Sequence, residues 1–225
     1  VLGEKTKVNE ILGFEGEELC LDDSLLLKKC PMNTKNRITL QKMFDFLVSI
    51  TLGIEDSFGF GDRLGVANAG HIRSVRGSKF RPILAQQSIR ELTRTKRTPE
   101  EVMDAAVYSV FQEGYEEGFG SDADHLKTTE DIDLMVNAGY TMFTFDPGDY
   151  VDNDADDYSE EVLNEKFNQL PWEKLYDTPE AAIKKYADTK FNISDSLVIQ
   201  PSKLDLLKAY VKYGNAVLHV KKLHD

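Results

Sequence analysis

Hydrophobic and polar positions change their rhythm along the chain. Residues 1–37 alternate glycine, charge and short apolar groups without a sustained period. Over residues 39–52 the apolar positions Leu40, Met43, Phe44, Leu47 and Val48 recur at helical spacing, which predicts a helix. After Asp56 a repeating order sets in. Residues 57–65 are strand-like with turn glycines, and residues 66–76 read as a short helix. Residues 80–86 are apolar and strand-like, with Pro82 near the start. Thr98-Pro99-Glu100-Glu101 is a capping box with Pro at the first helical position. It predicts a helix to about Glu113 with Val102, Ala106, Val107 and Val110 on one face. Residues 114–119 supply a weak third strand. Thr129 caps a helix to Ala138 with Gly139 as its stop, and residues 140–145 form a buried strand.

Strands alternating with helices imply parallel βαβ units. A polar cluster follows each strand: Asp62-Arg63, Gln86-Gln87-Ser88, Asp122 to His125, and Asp146 to Asp149. Their spacing fits the unit length of a (β/α)8 barrel, and that of an open doubly wound sheet as well. From Tyr150 the chain turns acidic and then proline-punctuated, at Pro171, Pro179 and Pro201. Thr178-Pro179-Glu180 opens a helix to about Ala187, and residues 204–223 give another. Residues 150–202 therefore read as a long excursion between the fourth strand and its return helix, where loops shape sites. Residues 1–50 read as an N-terminal extension and residues 51–225 as the β/α body.

Composition narrows the partners. Of the 225 residues 41% are hydrophobic, enough for one sizeable core. The formal charge is −12, from 39 acidic and 27 basic residues. That balance argues against general binding to nucleic acid or to an anionic membrane. A small anionic substrate stays possible, since one Arg cluster or metal overrides the net sign locally. Residues 146–165 hold much of the excess, with no Lys or Arg among their carboxylates, and read as a solvated acidic loop. The two cysteines, Cys20 and Cys30, make no disulfide framework and no zinc-finger array. No secretory leader opens the chain and no apolar tract is long enough to span a bilayer, so a cytoplasmic location is expected. The chain opens on Val1 rather than Met, as expected of a fragment.

The chemistry concentrates in Gly118-Phe119-Gly120-Ser121-Asp122-Ala123-Asp124-His125-Leu126-Lys127. Two carboxylates and an imidazole fall within four residues there. In an extended strand Asp122 and Asp124 face one way and His125 the other, unless the turn rotates it. Imidazole with carboxylate suits Zn, Mn, Ni or Fe; an Asp-capped turn with an exposed His is the plain alternative. Gly59-Phe60-Gly61-Asp62-Arg63-Leu64-Gly65 bends tightly and presents Arg63 to an anionic group, although a plain turn has the same composition. Its glycines miss the dinucleotide fingerprint by one position. The amides and hydroxyl of Gln86, Gln87 and Ser88 suit sugar hydroxyls, or else bond their neighbours at a polar strand end. Asp152, Asp154 and Asp156 are not an EF-hand, because Asp157 replaces its glycine and Leu163 its final Glu. His71, His219 and His224 are isolated and read as packing or surface residues. No G-x-S-x-G elbow is present.

Several of these segments, in this order, resemble the tagaturonate epimerase family. They are Gly59 to Gly65, Ala85 to Glu91, Val110 to Tyr115, Glu117 to His125 and Phe143 to Pro147. The resemblance is firm over residues 57–151 and loose in the tail. It implies a partial (β/α)8 TIM-type barrel: the first four parallel β/α units, with later segments and a further metal-binding His lying beyond this chain. It implies a metal-dependent isomerase of hexuronate catabolism that interconverts tagaturonate and fructuronate. Those sugar acids differ at a carbinol carbon β to the ketone, whose C–H is not acidified. Retro-aldol cleavage and re-addition is therefore the expected route, with a divalent metal as Lewis acid. The site residues expected are His125 on the metal and Asp124 or Asp146 as acid/base. Asp62 and Arg63 join Gln86, Gln87 and Ser88 on the substrate, with Arg63 on its carboxylate and the last three on its hydroxyls. Two rivals are a catalytically incomplete half-barrel scaffold and a class II-type ketose aldolase. Half a barrel leaves open edges, so self-association or pairing with the missing half is expected.

Overall fold

The computed structural model describes residues 2–4, 13–20 and 23–225, the first three by backbone alone. The chain divides into two compact units, the first ending at Thr144 and the second running Phe145–Asp225.

The first unit opens with a small antiparallel sheet of β1 (Leu2–Glu4), β2 (Glu17–Cys20) and β3 (Leu25–Lys29), in the order β1-β3-β2. Helix α1 (Thr34–Met43) follows, its amide at Asn36 accepted by the Asn33 side chain. The helix expected over residues 39–52 is thus displaced toward the N-terminus. Phe44 adopts an extended backbone that ends it, and only a 3-10 turn, Asp45–Leu47, carries on. On this irregular chain Leu47 is buried while Phe44 and Val48 stay exposed, so helical periodicity has no meaning there.

The body is a four-stranded sheet of β4 (Ser57–Gly61), β5 (Arg81–Ser88), β6 (Gly120–Leu126) and β7 (Met142–Phe145), in the order β4-β5-β6-β7. The β4–β5 and β5–β6 ladders are parallel. Helices α2 (Asn68–Val75), α3 (Ile89–Thr95), α4 (Pro99–Glu113) and α5 (Thr129–Ala138) lie between the strands in the chain. Their ends follow local chemistry. Capping boxes open α3 at Ser88/Glu91, α4 at Thr98/Glu101 and α5 at Thr128/Asp131. Left-handed Gly114 and Gly139 close α4 and α5. The third strand was expected over residues 114–119 but begins at Gly120. Gly114 is consumed by the helix cap and left-handed Gly118 turns the chain, so Asp122 to His125 lie within the strand rather than after it.

One irregularity matters for function. Gly59 pairs with Ile83 and Gly61 with Gln86; on the other side Leu84 pairs with Ser121 and Gln87 with Ala123. Strand β5 thus carries one extra residue against both neighbours. The extra residue falls at Ala85, which has a φ of 55°. Beyond it the alternation of β5 is reset, so Gln86 and not Gln87 faces the same side as Ile83.

The start of the chain is bound to this body. The Arg37 Nε donates to Asp104 Oδ1 at 2.5 Å and Thr34 Oγ1 donates to Asp104 Oδ2 at 2.7 Å, joining α1 to α4. The Tyr108 hydroxyl donates to the Asn33 carbonyl at 3.0 Å. Below the strands the Ser49 hydroxyl lies 2.7 Å from that of Ser121 and 2.9 Å from that of Thr141. The core of the unit holds Ile72, Leu84, Met103, Val107, Phe119 and Leu126, all buried.

The second unit contains α6 (Glu160–Asn168), α7 (Trp172–Leu175), α8 (Pro179–Tyr186), a hairpin of β8 (Phe191–Ser194) and β9 (Leu197–Ile199), and α9 (Lys203–His224). Ala155, Leu163, Phe167, Trp172, Leu207 and Val211 share one core. The Trp172 indole N–H donates to the Phe167 carbonyl at 2.8 Å. The acidic run is therefore not a free loop. Lys166 Nζ donates to Asp152 at 2.9 Å, and Lys212 bonds Asp156 and holds that carboxyl below the usual carboxylate range. Two of the three aspartates of the loop that was excluded as an EF-hand are thus neutralised by lysine. Among the described residues no helix is long and apolar enough to cross a membrane.

Candidate functional site

The C-terminal halves of β4, β5 and β6 and the Thr144 position of β7 bring a row of polar groups to one face of the sheet. At its centre is Asp122, only 3% exposed. Its Oδ2 accepts the Gln86 Nε2 at 3.2 Å and its Oδ1 accepts the Thr144 hydroxyl at 3.2 Å. Burial, and then repulsion from Asp124, push the Asp122 carboxyl above the usual carboxylate range; the two hydrogen bonds pull the other way. On the β4 side the row continues as Gly59 and Gly61, whose missing side chains leave the Gln86 amide uncovered. From the sequence Asp122 was placed on one face with Asp124 but given no role of its own, and Thr144 was not singled out.

At the strand end, Asp124 Oδ1 lies 2.7 Å from His125 Nδ1. His125 has a φ of 55°, so the backbone rotates it out of strand alternation and toward Asp124. The carboxylate holds Nδ1, which leaves Nε2 for another partner, and the imidazole is more than half exposed. An imidazole oriented by a carboxylate through one nitrogen is the arrangement that metal-ligating histidines adopt. Among the described residues no three His, Cys, Asp or Glu side chains gather closely enough to hold a metal ion. The His125–Asp124 pair fits one corner of a metal site, and further ligands would have to come from outside that group.

The other expected site residues have local duties. The Asp62 carboxylate accepts four backbone amides, from Gly65 (2.9 Å), Val66 (3.2 Å), Ala67 (2.6 Å) and Asn68 (3.0 Å). It fixes the turn into α2 and has no acceptor capacity left over. Gln87 is fully buried on the opposite side from Gln86 and donates to the Asp62 carbonyl at 2.8 Å. Its carbonyl oxygen has no partner in the protein. The Ser88 hydroxyl accepts the Glu91 amide as the cap of α3. Arg63 pairs with the buried Glu91 carboxylate yet remains largely exposed, with guanidinium N–H groups to spare. Asp146 follows β7 at the start of the second unit, and its Oδ1 accepts the Gly148 amide at 2.9 Å. Of the isolated histidines, His71 stacks on Phe60 and His219 on Tyr150, both as packing groups.

A cavity of about 1000 Å³ lies in the second unit, where Tyr150, Lys174, Tyr176 and His219 help line it, and no strand-end residue does.

Known proteins carry the same chain segment. A family profile described as tagaturonate epimerase (UxaE) matches residues 1–225. The tagaturonate/fructuronate epimerase of Thermotoga maritima is 39% identical over 195 residues, which cover 87% of this chain and 39% of that protein. The native crystal structure of the fructuronate-tagaturonate epimerase UxaE from Cohnella laeviribosi superposes with a TM-score of 0.83 at 38% identity. That match covers 94% of this chain and 41% of the other. A glycerol complex of the same enzyme matches with the same TM-score. The chain spans about two fifths of the length of these relatives.

Proposed function

Since the chain belongs to the tagaturonate epimerase family, we propose that it contributes the first four β/α units of a (β/α)8 barrel to an enzyme that interconverts tagaturonate and fructuronate. The observation that carries this reading is the polar face itself. Gln86, Asp122, Thr144 and the Asp124–His125 pair stand together where parallel α/β folds build their sites, at the carboxyl ends of the strands.

His125, oriented through Nδ1 by Asp124, would hold a divalent metal ion through Nε2. When bound, that ion supplies Lewis acidity at the substrate ketone oxygen. Inversion at a carbinol carbon β to a ketone proceeds by breaking and re-forming the adjacent C–C bond, with the carbinol proton removed and returned. Asp124 is the partly exposed carboxylate of the sheet face and is assigned that proton. Gln86 addresses a sugar hydroxyl, and Arg63, with N–H groups left after its bond to Glu91, faces the substrate carboxylate. Asp62, Gln87 and Ser88 act through the backbone they fix.

The test is to incubate the full-length, metal-loaded protein with fructuronate and follow the products by NMR. Tagaturonate should accumulate without released three-carbon fragments, and a chelator should stop the reaction. Accumulating fragments would make it an aldolase. Binding without turnover would make it a scaffold.

A further inference from the structure

We infer that Gln86 and the two glycines of β4 form a hydroxyl-reading slot, in which the amide oxygen of Gln86 accepts a hydrogen bond from one substrate hydroxyl over a floor made by Gly59 and Gly61. The inference rests on the sugar-acid reading above for the identity of the ligand, and adds the residues that select it.

The orientation of the amide is forced by its partner. Asp122 already accepts the Thr144 hydroxyl, and a carboxylate does not donate, so the NH2 end of Gln86 must face Asp122. The carbonyl end, Oε1, is left pointing elsewhere. Among the described residues no donor reaches it. What it does meet is vacant space above β4. A Cβ built on Gly61 would come 3.7 Å from Oε1, and one on Gly59 would come 3.8 Å from Oε1 and 4.0 Å from Nε2.

Neither glycine is demanded by the fold. Both lie outside the left-handed region, and their Cβ positions meet only ordinary van der Waals contact. Glycine within a strand weakens it relative to alanine. Glycine within a strand marks a bulge, a bend or a close approach. The ladder does shift register beside these two, but the extra residue sits on β5 at Ala85 and not on β4, which leaves close approach by a ligand as the reason for two glycines on one face of a five-residue strand. An oriented acceptor beside them selects an O–H donor and rejects an analogue that lacks it.

The test uses the full-length protein and three variants, Gly59→Ala, Gly61→Ala and Gln86→Met, together with the double variant Gly61→Ala/Gln86→Met. Titration calorimetry with fructuronate and with tagaturonate gives Kd; epimerisation kinetics give KM and kcat; scanning calorimetry gives Tm. The glycine variants should keep or slightly raise Tm. They should weaken binding by about tenfold, the loss of one hydrogen bond, with kcat changed less than about threefold. Gln86→Met should bind about as weakly, and the double variant no more weakly than Gln86→Met alone, since both changes remove the same contact. If the unaltered protein binds and epimerises while the glycine variants bind equally well, the slot is overturned and the function stands. Additive losses in the double variant would also overturn it. If the unaltered protein binds neither sugar acid, the functional reading fails, and the slot with it.

Discussion

Replacing Asp62 tests how the strand-end turn is held. Four backbone amides converge on this one carboxylate, at 2.6–3.2 Å. Water can replace the carboxylate at Val66, which is 81% exposed, and in part at Gly65. It cannot do so at Asn68, whose residue is 2% exposed, and does so poorly at the half-buried Ala67. Counting those two donors at about 1.5–3 kcal/mol each, Asp62→Ala should destabilise the first unit by about 3–6 kcal/mol. At roughly 2–4 °C per kcal/mol for a chain of this size, Tm should fall by about 10 °C. Asp62→Asn is the sharper variant. It keeps the shape, but its NH2 group must face the Ala67 and Asn68 donors or the Gly65 and Val66 donors. It should therefore lose about 2–3 kcal/mol despite being isosteric. Urea unfolding followed by circular dichroism measures both. A loss below about 1 kcal/mol for Asp62→Asn, accompanied by a raised KM, would refute the reasoning and make Asp62 a substrate ligand.

Other expectations follow from the same geometry. His125→Ala in the full-length enzyme should abolish metal uptake, read by elemental analysis after dialysis; undiminished metal content would remove His125 as a ligand. Asp104→Ala should cost about 3–5 kcal/mol, since it strands the buried Arg37 guanidinium; a urea midpoint near that of the unaltered protein would show the pair to be dispensable. Burial, with the nearby Asp104 charge adding to it, pushes the Tyr108 phenol up to about 12. A raised folded pKa favours the protonated phenol, so its contribution is full below about pH 10 and is lost as the pH climbs toward 12. Alkaline unfolding monitored by tyrosinate absorbance should shift to higher pH in Tyr108→Phe, and an unmoved curve would count against it.

Much of the fold was written in local signals. The boxes at Thr98/Glu101 and the glycine stop at Gly139 mark true helix ends, because caps act within a few residues and need no tertiary context. The parallel order followed from alternation alone. The tail was less legible. Residues 150–202 read as an excursion because their charge masks the apolar spacing of Leu163, Phe167 and Leu170, and Lys166 and Lys212, later in the chain, neutralise Asp152 and Asp156. The site was half legible. Asp124 and His125 were visible as chemistry, and Asp62, Gln87 and Ser88 looked equally functional; the local hydrogen bonds that occupy these three are visible only in the structure. Asp122 was seen beside Asp124 but given no role, and the third strand was drawn six residues early, over glycines that end a helix and turn the chain.

The deeper obstacle lies in two residues whose backbone no composition announces. Ala85 and His125 both take a φ of 55°, on neighbouring strands, and neither is glycine. Such conformations cost about 1–2 kcal/mol each and persist only where the surroundings impose them. Each has a visible consequence. The extra residue at Ala85 moves Gln86 onto the face of Asp122 and sends Gln87 to the other side, where it braces Asp62. The turn at His125 swings the imidazole onto Asp124. Strict alternation would give a sheet with Gln87 facing Asp122 and His125 facing away from both carboxylates. Two local departures from regular strand geometry thus convert an ordinary polar strand end into a row of aligned donors and acceptors. A reading based on period alone cannot tell the two glutamines apart.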